Sequence, residues 1–161
     1  MSTKTRGQLK VTDLKTLRKV LTSEGWTFTE GTNLSTSAIH RAEPEKVDVL
    51  LTGRVSKGAD GKAIAIEDKE CRTVGFKKTS TGEYEAVGDF YHLQDSKGRN
   101  MGTAHSMQTC VNRRYAYFKG IEAMEKLGFG QKTKNPRGEV GQDGKIRVRM
   151  RLTDPAMAGL A

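Results

Sequence analysis

The chain has 161 residues, with 28 Lys and Arg against 19 Asp and Glu, for a formal net charge of +9. One domain accounts for that length, and a domain of this size buries roughly 70% of its unfolded surface without a metal or disulfide staple. With a hydrophobic share of 35% and a mean hydropathy of −0.63, the sequence offers no apolar run of membrane-spanning length and no apolar stretch after Met1, which excludes a spanning helix and a signal peptide.

Taken in chain order, residues 1–9 are polar and read as a tail. Thr12 is a candidate helix cap, with Asp13 in the first turn where the helix dipole favours negative charge. Leu14, Leu17 and Leu21 recur at helical spacing beside Val20, and Gly25 is placed to end the helix. Trp26, Phe28 and Thr29 predict a short strand, and residues 31–37 a polar loop. Val47, Val49, Leu51 and Val55 alternate with polar residues, which predicts a half-buried strand. A turn follows over 56–61, and residues 63–69 read as an edge strand or an insertion.

Residues 72–78 and 84–93 form the clearest hairpin in the sequence, joined by the turn chemistry of Thr79-Ser80-Thr81-Gly82. A second helix is predicted over 103–127 and closed by Gly128. A final hairpin is predicted with strands at 129–134 and 145–152, turning at Asp143-Gly144. Residues 155–161 read as a second tail. Short links between strands, with a helix before them and one after, predict a single α+β domain. Its antiparallel sheet has five to six strands, with two helices packed on one face.

Two side-chain patterns stand out. On the second helix, Met107, Cys110, Val111, Phe118 and Ile121 share a face at about 100° per residue, and Arg114 falls in the middle of that stripe beside Tyr117. A guanidinium there needs a partner, because an isolated buried charge costs several kcal/mol. Asp89, set among Val87, Phe90 and Tyr91, is the natural one, which predicts an Asp89–Arg114 clamp. The competing reading is an anion or substrate pocket lined by Asp89, His92, Arg114 and Tyr117.

In the last strand, Lys145, Arg147, Arg149 and Arg151 alternate with Ile146, Val148, Met150 and Leu152. Period two puts the cations on one face, and Lys132, Lys134 and Arg137 extend it. Such a ladder can track a phosphate backbone. It can equally be a solvated face that blunts edge pairing.

Catalytic and metal signals are weak. His40, His92 and His105 lack ligand spacing with one another or with cysteine, and Thr103, Ser106 and Thr109 have no base at nucleophile spacing. No catalytic residue, metal or cofactor is implied. Cys71 and Cys110 are too few for a disulfide framework and read as thiols in a reducing cytosol, so the expected location is cytoplasmic.

Three ordered segments carry a family resemblance: the early helix ending in Leu21 to Trp26; Val74-Gly-Phe-Lys-Lys followed by Gly82-Glu-Tyr-Glu-Ala-Val-Gly-Asp89-Phe-Tyr; and Arg114-Tyr-Ala-Tyr117, then Gly128-Phe, then Asp143-Gly-Lys-Ile-Arg-Val-Arg. In these the chain resembles the proteins of hypothetical chloroplast open reading frame thirty-five, with cyanobacterial, bacterial and phage members. It departs from that pattern in a longer stretch over 56–70, a longer loop over 95–102, and Phe90-Tyr91 where tryptophans are common, which makes it a divergent member. The resemblance implies the fold outline and draws attention to Asp89 and Arg114, with no activity or cofactor attached.

The expected function is a non-enzymatic basic binding protein that contacts nucleic acid, or a nucleic-acid complex, through the Lys/Arg strand face. The alternative is an adaptor or inhibitor with a protein partner in a bacterial or phage multi-protein system. No membrane partner is expected, and the sequence leaves the oligomeric state open.

Overall fold

A computed structural model of the chain describes residues 5–37, 43–91, 93–94, 98, 100–131, 139–140, 142, 146–147 and 150–152. The chain forms two compact units, Met1–Asn112 and Arg113–Ala161.

In the first unit, Asp13 starts helix α1, Leu14–Ser23. One carboxylate oxygen accepts from the Lys15 N–H at 3.0 Å and the other from the Thr16 hydroxyl at 2.6 Å. The expectation that Thr12 caps is thereby corrected: a carboxylate has two acceptors to offer the first turn, and a hydroxyl has one. Leu17, Val20 and Leu21 are fully buried, each contributing about 1.5–3 kcal/mol by leaving water. Gly25, at φ 81°, ends the helix, and its N–H donates to the Thr22 carbonyl.

The sheet is six-stranded and antiparallel, as the α+β reading expects. Its strands are β1 (Thr5–Gln8), β2 (Trp26–Ser35), β3 (Lys46–Lys57), β4 (Ala63–Glu67), β5 (Val74–Lys78) and β6 (Tyr84–Gly88). The order is β1-β6-β5-β3-β2, with β4 on β3. Cross-strand register aligns Val49, Phe76, Ala86 and Gly7 on one face. There Phe76 and Ala86 are fully buried. A Cβ on Gly7 would stand 3.0 Å from the Ala104 carbonyl oxygen, so the start of helix α2, Ala104–Lys126, approaches β1 closely.

Three sequence expectations are corrected here. Residues 5–9 are no tail: β1 pairs with β6 over four residues, Leu9 is fully buried, and its N–H donates to the Tyr84 carbonyl. The polar side chains of Thr-Arg-Gly-Gln hide a strand held by backbone bonds and by Arg6, which bridges Glu45 and Glu85 at 2.6 Å each. Residues 31–35 are no loop either, because β2 runs ten residues along β3 with register shifts at Thr27/Phe28 and Glu30/Leu34. An exposed edge strand needs no apolar alternation, so its composition resembles a loop.

The third correction is the length of β6, which stops at Gly88 rather than reaching Leu93. Gly88 has φ 145°, and a Cβ there would collide with the Thr73 carbonyl oxygen. The chain then leaves the ladder, and Phe90 and Leu93 are buried from a turn.

In the second unit α2 runs to Lys126 and is followed by Gly128 at φ 87°. Two short ladders follow: β7 (Phe129–Gln131) with β10 (Met150–Leu152), and β8 (Glu139–Val140) with β9 (Ile146–Arg147). Of the strand expected over 145–152, Ile146–Arg147 pairs with β8 and Met150–Leu152 with β7, and residues 145, 148 and 149 lie outside the described residues. Asp143, Gly144 and the expected tail over 155–161 lie outside the described residues.

Candidate nucleic-acid interface

The second unit carries most of the net positive charge. Residues 113–161 hold eleven Lys and Arg against five Asp and Glu, a net +6 of the chain's +9. Its acids are partly committed. Glu122 lies 3.3 Å from Lys126 and 3.6 Å from Lys119. Its hydrogen bond with Lys126, with both lysine charges adding, holds its carboxyl below the usual range. Lys119 also sits 5.8 Å from the centre of the Tyr115 ring, within cation–π range.

The expected cation ladder is only partly within the described residues. Arg147 lies in β9 with Glu139 as its register partner. Arg151 lies in β10 with Gly130 as its register partner. Lys132, Lys134, Arg137, Lys145 and Arg149 lie outside the described residues, and the side chains of Arg147 and Arg151 are not described. What is established is backbone placement: two of the seven cations stand on two different short ladders.

The second candidate constellation is distributed over both units. Asp89 belongs to the first, where it is 5% exposed. Its Oδ1 accepts from the Tyr91 N–H at 3.0 Å, and its carbonyl accepts from the Thr73 hydroxyl at 3.3 Å. Arg114 and Tyr117 belong to the second and are buried, at 7% and 7% exposure. The helical spacing therefore located a buried guanidinium correctly. His92 lies outside the described residues, as does His40. Among the described residues, no group of three or more His, Cys, Asp or Glu is arranged to hold a metal.

Sequence reasoning missed a cleft in the first unit of about 420 Å³, lined among others by Glu24, Trp26, Arg54, Ile66, Asp68 and Gln94. These residues come from four separate stretches, so no local motif announces them. Arg54 and Asp68 stand 3.8 Å apart in it, and the Trp26 indole N–H donates to the Gln94 carbonyl at 2.9 Å. Buried Glu24, with Asp68 opposite a single guanidinium, gives the cleft a negative cast unsuited to phosphate.

Among the described residues no helix is long and apolar enough to cross a membrane. A family model described as protein of unknown function (DUF1257) matches residues 46–149, well over half of the chain. No curated protein and no solved structure matches it.

Proposed function

We propose, from the premise that the chain belongs to the DUF1257 family of proteins of unknown function, that it is a non-enzymatic binding protein for nucleic acid or a nucleic-acid complex. The observation that carries this reading is the concentration of charge: +6 of the net +9 falls in residues 113–161. A phosphate backbone meets such a segment by releasing condensed counterions, which makes affinity fall with salt in proportion to the contacts made. Lys132, Lys134, Arg137, Lys145, Arg147, Arg149 and Arg151 are the contacts of this proposal. Its likeness to the proteins of hypothetical chloroplast open reading frame thirty-five, and a cytoplasmic location, belong to the same reading.

The test is a fluorescence-anisotropy titration of labelled single- and double-stranded DNA and RNA across a salt series. The expected result is binding that weakens linearly on a log–log plot, at about −0.9 per phosphate contact for duplex DNA. Absence of binding at low salt, or binding indifferent to salt, removes the proposal. The adaptor alternative predicts instead a protein partner retained on the tagged chain after nuclease treatment.

A further inference from the structure

We propose that β4 is a pairing edge for a second copy of this chain, closing an antiparallel two-fold ladder centred on Ala65. β4 has the sequence Ala-Ile-Ala-Ile-Glu, and all five residues are exposed. Ile64 is 49% exposed and Ile66 46%, in a chain whose apolar residues are few enough to be needed inside.

The backbone shows which groups face outward. The Gly58 N–H donates to the Lys62 carbonyl at 2.8 Å, and the Asp68 N–H to the Thr52 carbonyl at 3.1 Å. Register between them is unbroken from Gly53↔Glu67 to Lys57↔Ala63. Antiparallel bonding alternates along a strand. The Lys62 carbonyl, Ile64, Ile66 and the Asp68 N–H therefore bond toward β3, and Ala63, Ala65 and Glu67 direct their N–H and C=O groups away from it. Among the described residues β4 has β3 as its one strand partner. The usual means of blunting an edge are a Pro, a central Lys or a bulge. β4 has no Pro, Lys or bulge, and its one charged residue is Glu67 at its end, whereas the β2–β3 ladder has two register shifts.

A second copy fits this edge in one register. With Ala65 facing Ala65 of the second copy, the outward groups of Ala63 and Glu67 exchange hydrogen bonds across the two-fold axis. Ile64 then faces Ile66 of the second copy, and Lys62 faces Asp68 of the second copy, a carboxylate whose Oδ1 also accepts from the Glu70 N–H at 3.0 Å and whose Oδ2 stands 3.8 Å from Arg54 of its own chain. Lys62, Ile64, Ile66 and Asp68 share one side of the strand by the period of two. The joint would therefore present four isoleucines flanked by two opposite-charge pairs. Sliding the copies by two residues sets an isoleucine against Lys62 or Asp68 and loses the opposite-charge pairs. The self-complementarity in charge identifies the occupant as the same chain.

The test measures the mass of the full chain by sedimentation and light scattering, from micromolar to near-millimolar, without nucleic acid. The mass is expected to rise from 17.7 kDa toward twice that value. Ala65→Pro removes the central outward donor while leaving the β3 bonds, and it should keep the chain monomeric. Lys62→Glu sets Glu against Asp68, and Asp68→Lys sets Lys against Lys62. Each variant alone should dimerise about tenfold more weakly or worse, and an equimolar mixture should recover the native strength, because both mixed pairs are then opposite in sign. The mixture decides the matter even if Ala65→Pro does not fold. A chain that stays at 17.7 kDa throughout, or a mixture no tighter than either variant alone, overturns the proposal. Because no nucleic acid is present, the outcome is separate from that of the binding proposal.

Discussion

Gly53 and Ile66 meet backbone to backbone: a Cβ on Gly53 would run into the carbonyl oxygen of Ile66. This close approach is where β3 passes from the core to the arm it shares with β4. Neither side can yield by turning a side chain, because the obstruction is main chain. Gly53→Ala is therefore expected to destabilise the first unit by about 1–3 kcal/mol, the usual cost of overpacking. Urea unfolding should show a lower midpoint at unchanged slope. A midpoint equal to that of the native chain contradicts this packing.

Asp13→Ala removes both hydrogen bonds at the start of α1, those to the Lys15 N–H and the Thr16 hydroxyl. The expected loss is about 0.5–2 kcal/mol. Thr12→Ala should cost clearly less, since Thr12 is exposed and Asp13 holds the cap. Thermal melts of the two variants side by side check the order.

Cys71 is 2% exposed, and burial pushes its thiol up to about 11 from an ordinary value of 9.0. Ellman's reagent at pH 8 should react with half-buried Cys110 first and with Cys71 only on unfolding. Cys110→Ser should remove the fast phase. Because the folded value is raised, the folded state holds this proton more tightly. The stabilisation is complete below about pH 9 and is lost as pH rises toward about 11. Tyr84, also raised by burial, adds in the same direction as pH rises past its ordinary value of 10.0. Denaturation between pH 8 and 11 should show declining stability, with a shallower decline in Cys71→Ala.

Arg147→Gln and Arg151→Gln test the proposed phosphate contacts individually. Each should weaken binding to all sequences alike and reduce the salt slope by about 1. Affinities that change only for particular sequences would place these residues at base edges instead.

The sequence by itself determined the elements whose side chains carry a period. The leucines of α1, the alternation of Val47, Val49 and Leu51, the β5–β6 hairpin and the apolar stripe of α2 around Arg114 are all visible in residue order, because burial selects residue type at fixed spacing. The chain's basic character was equally legible, since charge is a count. Tertiary structure alone decided the rest. β1 is held by backbone hydrogen bonds to distant β6, and the outer half of β2 by pairing with the start of β3, and a backbone bond leaves no mark on residue type. Gly88 ends β6, and Gly53 admits β4, through close approaches of main chain that exist only once distant segments are brought together. The open edge of β4 has the same origin: Ala-Ile-Ala-Ile-Glu reads equally well as a buried strand, and only the placement of β3 on one side of it exposes the other.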